Sequence, residues 1–187
     1  MWSLRSPTEL TRRVRAFDDR ADTLFDRVRG NAVADRVMYT ASEVGDFSLL
    51  WHMVGAARGL TSEQRADEAF RLSLILGAES VLVNGVIKSF FRRRRPVYDQ
   101  PRPHRLRQPR SSSFPSGHAS AAFTAATVLA EDDPLWPLYY AAAAVVAASR
   151  TYVKIHHASD VVAGVVTGLV LGRIARRVVP KPGMPRA

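Results

Sequence analysis

His156 and Asp160 close the run Ser149-Arg150-Thr151-Tyr152-Val153-Lys154-Ile155-His156-His157-Ala158-Ser159-Asp160. If the end of this run is helical, the two share a face, so the carboxylate can hold one imidazole nitrogen and leave the other free to attack. Arg150 adds a planar cation for an oxyanion. Alone, a His/Asp pair at this spacing is equally a surface contact, since the spacing occurs on any helix. A second grouping, Pro115-Ser116-Gly117-His118, carries helix-start residues. The free N–H groups of a first helical turn bind anions, and Gly117 lets a ligand approach the backbone. A histidine there could protonate a leaving oxygen, although a plain capping role explains it as well. The third grouping runs from Lys88 through Arg92, Arg93, Arg94 and Arg95 to Pro96. By default such a run is a juxtamembrane patch that meets anionic headgroups; the sharper reading is a phosphate clamp.

These groupings need a scaffold, and the composition limits what it can be. A chain of 187 residues is one domain by the usual size prior, long enough to bury a core. Its net charge of +10 points to an anionic partner: nucleic acid, an acidic membrane surface or a phosphorylated substrate. The absence of cysteine excludes disulfides and thiolate chemistry. The N-terminal stretch carries charges every few residues and no apolar core, so a cleaved signal peptide is not expected.

Mean hydropathy is slightly below zero, but the charges are unevenly spread. Residues 111–130, 134–149 and 161–172 carry no Asp, Glu, Lys or Arg. A full span takes roughly 20 apolar residues, somewhat fewer if flanking Lys and Arg snorkel. These runs, with Tyr39–Leu60 and Leu72–Ile87, predict an all-α, membrane-embedded bundle of about five spanning helices. Residues 1–37 form a basic amphipathic segment, with Phe17, Leu24, Phe25 and Val28 at helical spacing, lying on the membrane surface with its arginines toward lipid phosphates. The bundle occupies 38–179, and 180–187 form a Pro-rich disordered tail. Glu43, Asp46 and His52 interrupt the first apolar stretch, and an intramembrane carboxylate should face the bundle interior. Thr61-Ser62-Glu63-Gln64 reads as a capping box opening the next helix, which carries Glu79 and Asn84 inward and ends at Lys88. Pro96 should stop or bend that helix. Asp132-Asp133-Pro134 is a turn before a Pro-led helix that ends at Ser149, and a last helix runs from about Asp160 to Val179.

Alternating five helices across a membrane puts Lys88 to Arg110, Ser116 to His118, and Ser149 to Asp160 on one face. Three unrelated polar patches would agree less often by chance, so their convergence favours a single active site.

In order, Lys88-x6-Arg95-Pro96, Pro115-Ser116-Gly117-His118 and Ser149-Arg150-x5-His156-x3-Asp160 resemble the three-part signature of the type 2 phosphatidic acid phosphatase superfamily, which includes the vanadium haloperoxidases. The likeness covers residues 88–160, and the apolar helices around it resemble the membrane lipid-phosphatase branch. Relatives often carry proline where this chain has Ala158, a departure that bears on loop rigidity. The resemblance implies that His156 is the nucleophile and forms a phosphohistidine, with Asp160 fixing its tautomer. It implies that His118 protonates the leaving group and then activates water. Lys88, Arg95 and Arg150, with the Ser116 hydroxyl and the Gly117 amide, would hold the non-bridging oxygens. Cationic side chains then stand where other phosphoryl-transfer enzymes use metal, and neither metal nor cofactor is expected. His157 falls outside this set.

The expected function is hydrolysis of a lipid phosphate or diphosphate at the membrane, with no nucleic-acid partner. Two alternatives remain at this stage. One is a vanadate-dependent haloperoxidase, which the chain length and apolar runs disfavour. The other is a basic nucleic-acid or membrane-surface binder using Arg92–Arg95 and the arginines from Arg102 to Arg110, which leaves Pro115–His118 and the His156/Asp160 pair unexplained. On the five-helix topology, 19 of the 27 Lys and Arg residues fall on the active-site face and 8 on the other. The positive-inside rule then predicts a multi-pass cell-membrane protein with a cytoplasmic active site and N-terminus.

Overall fold

Helix starts in this chain are set by short polar side chains. In the computed structural model, which describes residues 8–98, 102–104, 106–109 and 111–183, Thr8 caps α1 (Glu9–Asp26) by accepting from the Thr11 N–H. Asn31 caps α2 (Ala32–Val44) through the Val33 and Ala34 N–H groups, after a turn in which Gly30 takes a positive φ of 85°. The expected N-terminal segment 1–37 therefore holds α1, the turn at Gly30 and only the start of α2, and its first seven residues lie outside the described ones.

The apolar stretch Tyr39–Leu60 is not one helix. Phe47 and Ser48 both take left-handed backbone conformations, with φ of 53° and 59°, and separate α2 from α3 (Leu49–Gly59). Ser62, rather than Thr61, caps α4 (Glu63–Ser80), accepting from the Arg65 N–H, so the reciprocal box with Gln64 does not form. Beyond Ser80 the helix widens into a π segment, Val81–Val86, and tightens into a 3-10 turn, Ile87–Phe90. Ser116 caps α5 (Gly117–Leu129). α6 (Trp136–Tyr152) has Pro137, not Pro134, in its first turn and continues past Ser149 to Tyr152. α7 (Ala158–Val178) closes the bundle, and positions 184–187 of the expected tail are outside the described residues.

Among the described residues the fold is seven α-helices and no strand. α5 sits at the centre, packed by α4, α6 and α7; α3 pairs with α4, and α1 crosses the ends of α6 and α7. α5 is alanine-rich because neighbours press on every side: Ala119, Ala122, Ala125 and Ala126 have no exposed surface. α7 lies especially close. Gly164 and Gly168 face the Ser116 and Ser120 carbonyls, where a Cβ would collide with backbone, and Gly172 faces Thr127. Thr124 donates to the Gly168 carbonyl at 3.2 Å across the same contact.

The opposite face of α7 carries Val162, Val166, Val170, Ile174 and Val178, all exposed and each four residues from the next. Small residues inside and large apolar residues outside invert the pattern of a helix in water and match helices packed in lipid. Among the described residues two helical stretches are long and apolar enough to cross a membrane, Glu63–Phe90 and Ala158–Val178. α5, with 13 residues, is about 20 Å long and is enclosed by the others. The expected count of five spanning helices thus rests on shorter and broken segments.

The bundle has two polar ends. One gathers α1, the end of α4, the start of α5 and the α6–α7 connection. The other holds Arg58, Arg65, Arg71, Arg176 and Lys181, paired with Glu68, Glu131 and Asp133.

Candidate active site

At the first of these ends lies a cavity of about 280 Å³, and its lining includes Lys88, Gly117, His118 and His156. They arrive from three places in the chain: the end of the α4 stretch, the first turn of α5 and the α6–α7 connection. The π segment and 3-10 turn at the end of α4 rotate Lys88 inward; its Nζ is buried and donates to Asn84 Oδ1 at 2.9 Å. Asn84 and the buried Glu79 also line the cavity, as their inward placement required.

After Phe90 the chain runs extended, and side chains alternate direction. Arg92 and Arg94 are exposed, whereas Arg93 and Arg95 turn inward. Arg95 donates to the carbonyls of Ile155, Ser111 and Ser112 at 3.1–3.2 Å, and its Nη1 lies 3.1 Å from His156 Nε2. The arginine run is thus split between solvent and site rather than forming one surface patch; of the further arginines, Arg105 and Arg110 lie outside the described residues.

His156 does not sit on a helix with Asp160. α6 ends at Tyr152 and α7 begins at Ala158, so the histidine lies in the connection between them. The Ile155 and His156 N–H groups both donate to the Arg150 carbonyl at 3.1 Å, which folds this connection back onto the end of α6. The carboxylate nevertheless stands beside the ring: Asp160, in the first turn of α7, brings Oδ2 to 3.7 Å from His156 Nδ1, longer than a hydrogen bond, and accepts the His157 N–H at 2.9 Å. His157 itself is the N-cap of α7. An arginine can only donate, so the 3.1 Å approach of Arg95 leaves the lone pair on Nε2 and the proton on Nδ1, facing the carboxylate. Burial pushes the His156 imidazole pKa down to about 3, against the pull of Asp160 and with a further push from Arg150 and Arg95. The ring is therefore neutral at pH 7, with its free nitrogen among cations.

Arg150 is almost fully enclosed in the last turn of α6. Its Nη1 donates to Ser42 of α2, while Nε and Nη2 find no partner among the described residues, nor does Arg95 Nε. Buried guanidinium N–H groups without acceptors are costly, and an oxyanion would satisfy them. Ser116 is also buried: its hydroxyl accepts from the Ala119 N–H at 3.4 Å, and its own N–H donates to the Asp160 carbonyl at 3.0 Å. Its visible role is to cap α5 and join it to α7. Gly117 is packed so tightly against Asn84 Oδ1 that a Cβ would meet it at 2.5 Å.

His118 faces the cavity with Nε2 2.8 Å from Asp46 Oδ1. The sequence reading noted Asp46 only as an inward carboxylate and did not pair it with His118. The pairing depends on the left-handed residues Phe47 and Ser48, which no Gly or Pro at those positions announces. Arg93 was also missed as an individual; it bridges Asp160 and Asp18. Among the described residues, no cluster of three or more His, Asp or Glu side chains has metal-binding geometry.

The arrangement provides a neutral imidazole backed by a carboxylate, a second imidazole backed by another, and buried cations with unspent donors. Comparison with known proteins identifies the family and the fold. The profile described as the PAP2 superfamily matches residues 68–184. A transmembrane PAP2-type phosphatidylglycerolphosphate phosphatase from Bacillus subtilis is similar in structure, with a TM-score of 0.72 and 25% identity over 94% of this chain and 90% of that one. LpxE from Aquifex aeolicus superimposes with a TM-score of 0.65 at 24% identity, covering 94% and 98% of the two chains. A bacterial vanadium-dependent iodoperoxidase has a TM-score of 0.59 at 16% identity, with 94% of this chain matching 50% of that one. No curated protein sequence gives a significant match.

Proposed function

Starting from a chain that belongs to the PAP2 superfamily, we propose that it is an integral-membrane phosphatase that hydrolyses a lipid phosphate or diphosphate through His156. The observation that carries the reading is the placement of the buried His156 ring at the cavity, with Nε2 3.1 Å from Arg95 Nη1 and Nδ1 3.7 Å from Asp160 Oδ2. In the proposed reaction Nε2 attacks phosphorus in line, the bond to the leaving oxygen breaks, and a phosphohistidine forms. His118, in its protonated form with the Nε2–H held by Asp46, gives the Nδ1 proton to the leaving oxygen. It then takes one from water, whose oxygen attacks phosphorus as the P–N bond breaks and His156 is released. Asp160 stabilises the positive ring of His156, and Asp46 does the same for His118. Lys88, Arg95 and Arg150, with the Gly117 N–H, hold the non-bridging oxygens, where charge stabilisation dominates phosphoryl transfer. Ser116 contributes by fixing the turn that presents them.

The transmembrane B. subtilis phosphatase supports a membrane setting, as do the two long apolar helices among the described residues and the outward apolar face of α7. We place the active-site end in the cytoplasm on the distribution of Lys and Arg, with α1 lying along that surface. The exposed residues Leu10, Phe17 and Leu24 give α1 an apolar stripe for the headgroup boundary, and Val28 in the turn that follows is exposed as well. The likeness to the iodoperoxidase is one of fold alone.

The test is release of inorganic phosphate by detergent-purified protein from a panel of lipid phosphates and diphosphates, with chelator present. Wild type should turn over at least one, and His156→Ala should not. No release from any lipid class, strict metal dependence, or a fully active His156→Ala variant would sink the reading.

A further inference from the structure

α1 precedes the residues matched by the family profile, yet it reaches the catalytic carboxylate. Asp18 on this helix is buried. Its Oδ1 accepts the Ser159 N–H at 2.8 Å, and its Oδ2 accepts the Ser159 hydroxyl at 3.0 Å and Arg93 Nη2 at 2.6 Å. The other arm of Arg93 donates to Asp160 Oδ1 at 2.6 Å and to the Ser159 hydroxyl at 2.7 Å. One guanidinium is therefore shared by two buried carboxylates, one of which faces His156.

We propose that Asp18 is a positioning residue for the reaction at His156, acting through Arg93 and Ser159 on Asp160. This rests on the phosphatase reading above. Charge explains the effect. Asp160 and Arg93 alone would form a neutral pair, with the carboxylate drawn to the guanidinium and little of its charge left for the imidazole. Asp18 draws on the same guanidinium from the other side, so the trio keeps one net negative charge beside the ring that becomes positive during attack. The two bonds to Ser159 also fix the first turn of α7, from which Asp160 projects. Asp22 and Asp26, one and two turns along the same face, pair with Lys154 and Arg29 and hold α1 in place. The N-terminal helix is thus a part of the catalytic centre as well as a surface element.

The test compares wild type, Asp18→Asn and Asp18→Glu in detergent, with the Arg93→Gln and Asp18→Asn/Arg93→Gln variants beside them. Asp18→Asn should lower kcat by roughly tenfold to a hundredfold, the size of a lost charge-assisted contact, with KM unchanged. Asp18→Glu, which keeps the charge, should recover part of that loss. In the Arg93→Gln background the Asp18→Asn change should do nothing more. A second readout needs no turnover: in protein labelled with 15N-histidine, the His156 signal, assigned by its loss in His156→Gln, should report the Nδ1–H tautomer and move in Asp18→Asn. If the wild type turns over no lipid phosphate, the phosphatase reading fails and this signal alone decides the coupling. An Asp18→Asn variant with an unmoved His156 signal overturns the proposal, as does one with wild-type kcat or one that Asp18→Glu does not improve on. Should Asp18→Asn not fold, Ser159→Ala removes one strand of the same link, and an unmoved signal there is equally fatal.

Discussion

A charged partner matters most to a catalytic ring when the ring must carry a proton. Asp46 is the only side chain within hydrogen-bond reach of His118 among the described residues, at 2.8 Å. Asp46→Asn should therefore cut kcat by roughly tenfold to a hundredfold, and the change should add little to His118→Ala, since both act on one proton transfer. Steady-state rates of the two single variants and the double variant check this. His156 gives a different expectation, about stability. Its folded pKa of about 3 lies below the unfolded value near 6.5, so below that value the unfolded chain binds a proton the folded one refuses. This contribution is whole above about pH 6.5 and is lost as the pH falls toward 3. Thermal midpoints in detergent should drop less between pH 7 and pH 4.5 for His156→Gln than for wild type. At this scale the sequence was legible in part: of the residues its motifs single out, Lys88, Gly117, His118 and His156 line the cavity, whereas Arg95, Ser116, Arg150 and Asp160 are not in its lining. It was illegible wherever direction decides. Four consecutive arginines look alike until the extended backbone after Phe90 sends Arg93 and Arg95 inward and their neighbours out.

Helices position these groups, and one contact between helices sets how close the parts can come. At Gly168 a methyl group would enter the Ser120 carbonyl, and that backbone cannot move without shifting α5. Gly168→Ala should cost about 1–3 kcal/mol of stability, read as a lower thermal midpoint, whereas Val170→Ala on the outward face should cost less. The charge-free run over residues 161–172 revealed an apolar helix in the sequence, but glycine every fourth residue has meaning only when the partner surface is known. Breaks were harder still. Gly30 signals the turn between α1 and α2, because a positive φ favours glycine. Phe47 and Ser48 give no such signal. They separate two helices where the hydropathy pattern shows one continuous stretch.

As a whole the molecule is polar at two ends, with different chemistry at each. The far end is self-paired, with Arg58 and Arg65 on Asp133 and Arg71 and Arg176 on Glu131. Among the described residues the near end keeps three unspent guanidinium donors, on Arg95 and Arg150, against one on Arg71 at the far end. Sidedness can be measured without background, because the chain has no cysteine of its own. In intact cells an impermeant thiol reagent should label Arg186→Cys and spare Trp2→Cys; the reverse pattern would overturn the cytoplasmic placement. The convergence of three separated stretches at one end was legible from counting helices, and α1's grip on Asp160 was not, because a hydrophobic pattern describes only the side of a helix that meets apolar neighbours. The outward valines of α7 carry one more implication. A ribbon of branched side chains along a whole helix has no favourable fate in bulk water, so copies stripped of lipid or surfactant should adhere to one another along it. Oil is then an ingredient of the native state, and a folding free energy for this chain is defined only with its surroundings named.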